Sequence, residues 1–144
     1  MEVLTDTKTF YTHLVCSKYG DVYDKDKLQT FSKGKKPLIA KYYLDGHEKS
    51  TIIDATKNSM WRYRKVLPVE NDKNIVTLGE GMTPLIPLEI LAEEYGVQLM
   101  LKDEAYNPTG SFKARGLAMA ISKAKELGVK ACVIPTAGNA GGAM

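Results

Sequence analysis

The chain reads as an α/β protein: a parallel sheet with flanking helices over residues 51–144, preceded by a small β-rich module over residues 1–50. Three observations carry that expectation. Helical periodicity alternates with short apolar runs between Leu88 and Ile134, and a glycine-rich string, Thr136-Ala137-Gly138-Asn139-Ala140-Gly141-Gly142, follows the last run. Helix, strand, helix, strand and glycine-rich turn is the rhythm of parallel α/β architecture. The composition of the 144 residues, 44% hydrophobic and 26% charged, is that of a globular domain and excludes a disordered or collagen-like chain.

From Phe10 to Leu44 the chain is aromatic and basic. Asp21-Val22-Tyr23 and Leu38-Ile39-Ala40-Lys41-Tyr42-Tyr43 read as short strands, punctuated by Gly20, Gly34, Pro37 and Gly46. Asp45 to Lys57 is polar and reads as a connector. Thr83 to Leu88 is an extended approach to a short helix, because Leu88, Leu91, Ala92 and Tyr95 recur at helical spacing and Gly96 stands where a helix stops. Val97 to Leu101 is nearly all apolar, as a buried strand would be. Asn107-Pro108-Thr109-Gly110 is a turn string, and Ser111 is placed to cap the next helix. Leu117, Ala120, Ile121, Ala124 and Leu127 form that helix's apolar stripe, with Gly128 as its stop. Ala131-Cys132-Val133-Ile134 reads as a second buried strand. Two buried strands do not complete a parallel sheet, so the sequence reads as the front of a larger protein or a shortened relative of one.

Charge and targeting signals narrow the function. Twenty basic against 17 acidic residues leave a net charge of +3, too balanced for a nucleic-acid protein recognised by electrostatics alone. A basic ribbon of Lys25, Lys27, Lys33, Lys35 and Lys36 is interrupted by Asp21, Asp24 and Asp26. No apolar run approaches a membrane span, and the first residues lack a basic start followed by an apolar stretch. Cys16 and Cys132 stand far apart and form no secreted framework, so a reducing, cytoplasmic setting is expected, with no membrane or nucleic-acid partner.

Lys113 is the first candidate for chemistry. A single lysine is ordinarily a solvated surface group. This one is expected in the first turn of a helix after a strand and a tight turn, where α/β proteins present reactive groups. The positive end of a helix and partial burial both favour the neutral amine, which attacks aldehydes. The Thr136 to Gly142 string is the second candidate. Such a turn can aim backbone N–H groups at a carboxylate, and Asn139 adds a side chain that donates and accepts. Alone, it is also an ordinary turn composition. In a parallel sheet the two turns would lie at the same end.

Four strings then show a resemblance. Asn107-Pro108-Thr109-Gly110-Ser111-Phe112-Lys113-Ala114-Arg115-Gly116 resembles the pyridoxal-phosphate lysine motif of fold-type II PLP enzymes, the tryptophan synthase β-like superfamily. Pro135 to Gly142 resembles their asparagine loop, and Thr77-Leu78-Gly79-Glu80-Gly81-Met82-Thr83-Pro84-Leu85 resembles their opening segment. Met60-Trp61-Arg62-Tyr63-Arg64, followed by Leu67-Pro68-Val69, narrows the resemblance to the threonine synthase branch. Many relatives carry Asp where Ala114 stands. The resemblance implies that Lys113 holds pyridoxal 5′-phosphate as an internal aldimine and then serves as base and acid. It implies that Asn139 hydrogen-bonds the cofactor's 3′-oxygen, and that Thr136, Ala137, Gly138, Asn139 and Ala140 bind the carboxylate of a small amino-acid substrate. The implied reaction converts O-phosphohomoserine and water to threonine and phosphate, and a homodimer is one assembly the complete protein could form. The glycine-rich loop that holds the cofactor's phosphate is not found in these residues, so the chain alone is expected to be inactive. Arg62, Arg64 and Arg115 are candidate phosphate ligands, with structural ion pairing the favoured reading.

The front module resembles the zinc knuckle found before some threonine synthases, in degenerate form. Cys16-Ser17-Lys18-Tyr19 keeps one cysteine, Ser32-Lys33-Gly34-Lys35 keeps none, and His13 and His47 do not restore tetrahedral spacing. No metal is expected, and packing of Phe10, Tyr23, Phe31 and Tyr42 is expected in its place. Two rival readings stay open: a serine or threonine ammonia-lyase of the same superfamily, and a non-catalytic relative acting as a binding module.

Overall fold

The computed structural model describes residues 9–144. The front residues form a three-stranded antiparallel sheet of β1 (Tyr11–Cys16), β2 (Val22–Tyr23) and β3 (Leu38–Tyr42), in the order β2-β1-β3. Leu14 pairs with Tyr23 and Val15 with Ile39. The central strand, β1, was not among the expected ones, although Tyr, Thr and Val within it suit a pleated surface. Gly20 turns the chain back at φ +76°, and its N–H donates to the Cys16 carbonyl at 3.1 Å. Thr9, Tyr11, Cys16 and Ser32 are the buried residues of this part, while Phe31 is exposed. Phe31 lies in the long connection between β2 and β3, outside the sheet, so the expected packing of four aromatic rings is replaced. Tyr11 and Tyr42 sit 5.5 Å apart, and Phe10 stacks on His47 at 3.9 Å.

The connector holds one helical turn, α1 (Lys49–Ile52), and leads to a 3₁₀ segment, Met60–Val66, whose start is capped by the Ser59 hydroxyl accepting from Trp61 N–H. Met60, Trp61 and Val69 form the main apolar core, with Leu67, Ile75, Ala118 and Met119 packed around it. The front sheet is tied to this core. The Phe10 N–H donates to the Lys65 carbonyl at 2.7 Å and the Thr9 hydroxyl to the Leu67 carbonyl at 2.6 Å. Lys25 pairs with Glu70.

The remaining elements are β4 (Leu85–Pro87), α2 (Glu89–Tyr95), β5 (Met100–Lys102), α3 (Lys113–Glu126) and α4 (Asn139–Ala143). α2 ends as expected: Gly96 is left-handed at φ 64° and its N–H reaches the carbonyls of Ala92 and Glu93. Its apolar stripe, however, buries no residue, and Ile90 is 83% exposed.

The expected parallel sheet is not what these residues form. β4 and β5 pair antiparallel, with Leu85 opposite Lys102, and both sheets among the described residues are antiparallel. Only Met100 and Leu101 of the expected Val97 to Leu101 strand join a ladder, and both are exposed. Ala131 to Ile134 joins none, and Val133 is 95% exposed. A parallel strand requires a ladder partner and cover on both faces. Neither is present around Val133 among the described residues.

α3 also presents a different face from the expected one. Its buried residues are Ala114 and Ser122, one side of the helix, while Leu117 and Ile121 are half-buried and Ala120 is exposed. Small side chains let the helix backbone approach the preceding segment closely. The Ser122 hydroxyl accepts from Val76 N–H at 2.8 Å and donates to the Ala118 carbonyl at 2.6 Å, satisfying a strand-like segment that has no ladder of its own.

Candidate active site

Lys113 opens α3, as the turn string before it requires. Gly110, at φ +69°, donates its N–H to the Asn107 carbonyl at 2.8 Å and closes the turn. The Lys113 ammonium lies 4.7 Å from the centroid of the neighbouring Phe112 ring and makes no ion pair among the described residues. Ser111 does not cap the helix. Phe112 occupies that position, and the Ser111 hydroxyl is buried with no hydrogen-bond partner among the described residues.

The lysine turn is held by Glu104, which the sequence reading did not single out. Its carboxylate accepts a bidentate pair from Arg115, at 2.6 Å from Nε and 2.7 Å from a terminal nitrogen, and a hydrogen bond from the Thr83 hydroxyl at 2.5 Å. The Asn107 side-chain amide adds a third donor at 2.9 Å. Chiefly the Arg115 hydrogen bonds, then those of Thr83 and Asn107, overcome the burial penalty and hold Glu104 down at about 2. Asn107 is 4% exposed and its amide oxygen accepts from Gly81 N–H at 3.1 Å. Asn107 was expected only as a turn residue. An acidic residue directly after a short strand and before that turn is the one signal that could have pointed to Glu104.

A second carboxylate, Glu80, is fully buried. Glu80 is 1% exposed and accepts from Trp61 Nε1–H at 2.9 Å, the Thr77 hydroxyl and Leu78 N–H at 2.9 Å. Gly81 follows at φ +115°, and a Cβ there would sit 2.5 Å from the Met60 backbone nitrogen. Glu80 and Thr77 border a cavity of about 130 Å³ completed by Thr109, Ala114, Ala118 and Met144. It is smaller than an ordinary ligand cleft.

Arg64 pairs with Asp72 at 2.7 Å and Arg115 with Glu104, whereas Arg62 makes no ion pair among the described residues and lies 2.9 Å from the Met82 sulfur.

The glycine-rich string forms the turn into α4, and α4 packs on α3. The Thr136 hydroxyl accepts from Gly138 N–H at 3.1 Å and Gly141 N–H at 3.0 Å. Two of the N–H groups expected to face a carboxylate therefore face Thr136. A Cβ on Gly141 would come 2.5 Å from the Thr136 methyl, so this hydroxyl needs glycine there. The N–H groups of Asn139 and Ala140, at the start of α4, have no acceptor among the described residues. The structure thus brings the helix that begins with Lys113 and the helix that begins with Asn139 into contact.

These residues fit an aldehyde cofactor in part: an amine free of ion pairs stands on the first turn of one helix, and unpaired N–H donors open the helix packed against it. In the front sheet, the Ser32 side chain first, and then the N–H groups of Tyr19 and Lys18, hold the Cys16 thiol below its ordinary range. No cluster of three or more His, Cys, Asp or Glu suited to a metal occurs among the described residues. No helix among them is long and apolar enough to cross a membrane.

Residues 76–144 match the family model described as pyridoxal-phosphate dependent enzyme. The threonine synthase of Halalkalibacterium halodurans is 50% identical over 86 residues, covering 56% of this chain and 24% of that protein. That of Methanosarcina acetivorans is 39% identical over 141 residues, 92% of this chain and 33% of that protein. That of Methanocaldococcus jannaschii is 38% identical over 128 residues, 86% of this chain and 32% of that protein. The chain therefore spans a third or less of the length of these curated relatives. Residues 76–144 are therefore similar to the pyridoxal-phosphate dependent enzymes, and the chain is similar to one portion of the threonine synthases.

Proposed function

We propose that this chain supplies the lysine-bearing part of a threonine synthase-like enzyme that converts O-phosphohomoserine and water to threonine and phosphate. The observation that carries this is the free amine of Lys113 on the first turn of α3, with the helix opened by Asn139 packed alongside. Pyridoxal 5′-phosphate, when bound, supplies an electron sink for negative charge on the substrate's carbons. Lys113 would hold the cofactor through Nζ, and the same nitrogen would receive and return protons during the reaction. The Asn139 side chain hydrogen-bonds the cofactor's ring oxygen. The N–H groups of Asn139 and Ala140 receive the substrate carboxylate, within a turn formed by Thr136, Ala137 and Gly138. Thr136 shapes that turn through its own hydroxyl, which makes its role indirect.

In the same reading the front residues are a zinc-knuckle-like module without metal. Two tight turns support this: Cys16 to Gly20, closed by the Gly20 N–H on the Cys16 carbonyl, and Ser32 to Lys36, closed by the Lys35 N–H on the Ser32 carbonyl at 2.9 Å. Cys16 and Ser32, the first residue of each turn, are both buried.

A chimaera tests the reading. This chain replaces the matching portion of the Methanosarcina acetivorans threonine synthase, and phosphate release from O-phosphohomoserine is measured. Release that disappears in Lys113→Ala is expected. A folded, cofactor-loaded chimaera that releases no phosphate would refute the assignment.

A further inference from the structure

We propose that Glu104 and Arg115 are positioning residues that fix the direction in which Lys113 presents its amine, an inference that rests on Lys113 as the cofactor lysine. The turn from Asn107 to Lys113 is anchored at both ends on one carboxylate. At its start, the Asn107 amide donates to the Glu104 carboxylate at 2.9 Å and to the Glu104 carbonyl at 3.0 Å. Beyond its end, Arg115, two residues after Lys113, grips the same carboxylate with two bonds of 2.6 and 2.7 Å. Thr83 fixes the carboxylate from a third segment: it donates to Glu104 at 2.5 Å and accepts from Arg115 at 3.1 Å.

Helical geometry turns that grip into a direction. Two residues along an α-helix are separated by about 200° around its axis. Arg115 and Lys113 therefore point to nearly opposite sides of α3. A bidentate guanidinium–carboxylate pair is planar and tolerates little rotation, so holding Arg115 fixes the rotation of the first turn about the helix axis. The Lys113 side chain is then aimed away from Glu104. Without the pair, the turn keeps its Gly110–Asn107 bond but loses the anchor beyond Lys113.

The test is site-resolved trapping. The full chain is incubated with pyridoxal 5′-phosphate, reduced with borohydride, and digested for peptide mapping. The share of label on Lys113 is compared with that on the exposed Lys18 and Lys130. The variants are Glu104→Gln, Arg115→Gln and Arg115→Lys. The first two should lower the Lys113 share about tenfold while Lys18 and Lys130 label as before, because small misplacements of a reacting group cost rates of this size or more. Arg115→Lys, which keeps the charge without the fork, should recover part of that loss. Trp61 emission, from the core next to Glu80, reports that each variant is folded. If Glu104→Gln fails to fold, the comparison between Arg115→Gln and Arg115→Lys decides. An unchanged Lys113 share in a folded variant overturns the positioning role. So does a loss spread equally over all lysines. A native chain that does not label Lys113 preferentially overturns the cofactor-lysine reading instead, and leaves the two failures distinguishable.

Discussion

Replacing Glu80 by Gln perturbs a single buried acceptor while leaving the shape of its site unchanged. The carboxylate serves rigid donors on both of its oxygens: Trp61 Nε1–H on one and Leu78 N–H on the other, each at 2.9 Å. A glutamine amide has only one oxygen. Whichever way it is oriented, its NH₂ group faces either the indole N–H or the Leu78 N–H, two donors with nothing between them. The Thr77 hydroxyl can rotate to accept, but neither N–H can. A hydrogen bond to a charged acceptor contributes about 2 kcal/mol, and a donor left buried and unpaired costs a similar amount. The neutral amide is easier to bury, which offsets part of this. The expected net loss is about 2 kcal/mol, about a 1 M fall in the urea midpoint for a domain of this size. Trp61 is the chain's single tryptophan, so its fluorescence reads unfolding from inside the perturbed site. An unchanged or higher midpoint would show that the carboxylate's burial costs as much as its bonds return, and would refute the reasoning.

Gly81→Ala should destabilise by about 2 kcal/mol or more, because the residue is held at φ +115° and the new Cβ meets the Met60 backbone at 2.5 Å; urea unfolding measures it. Glu104 makes stability pH-dependent. Its folded pKa of about 2 lies below the ordinary carboxylate value of about 4.3, so its contribution is complete above the ordinary value and is lost as pH falls through about 2. Thermal unfolding followed from pH 6 to pH 2 should show this loss, and Glu104→Gln should flatten it. Lys113→Ala should leave the unfolding free energy from urea titration within about 0.5 kcal/mol of the parent, since its ammonium makes no ion pair among the described residues and substitutions away from such contacts have small effects.

The local signals in the sequence were strong where the chain's own covalent geometry decides the outcome. Gly96 stops α2, Gly110 closes the lysine turn, and Lys113 begins α3, because positive φ and turn chemistry leave few alternatives. The signals were weak where tertiary partners decide. The apolar runs at Val97 and Ala131 looked like buried strands, yet an apolar run specifies only that cover is needed, not that it is present. Helical spacing puts the α3 stripe at Leu117, Ala120, Ile121, Ala124 and Leu127, whereas the buried residues are Ala114 and Ser122, where close backbone approach and one hydroxyl decide the packing. The helix starts at Lys113 and Asn139 were legible from motif and turn context. Glu104, Glu80 and Asn107 were not, because each carboxylate is defined by donors 3 to 21 residues away along the chain: Thr77, Trp61, Thr83 and Arg115 are recognisable as partners only once folded.

The central claim is that Lys113 is the residue that takes the cofactor. Borohydride reduction of the native chain with pyridoxal 5′-phosphate, followed by peptide mapping, tests it most directly. The account predicts the reduced adduct on the peptide containing Lys113, at a higher occupancy than on any other lysine, and its loss in Lys113→Ala. Preferential label on another lysine, such as Lys102 or Lys123, would contradict it.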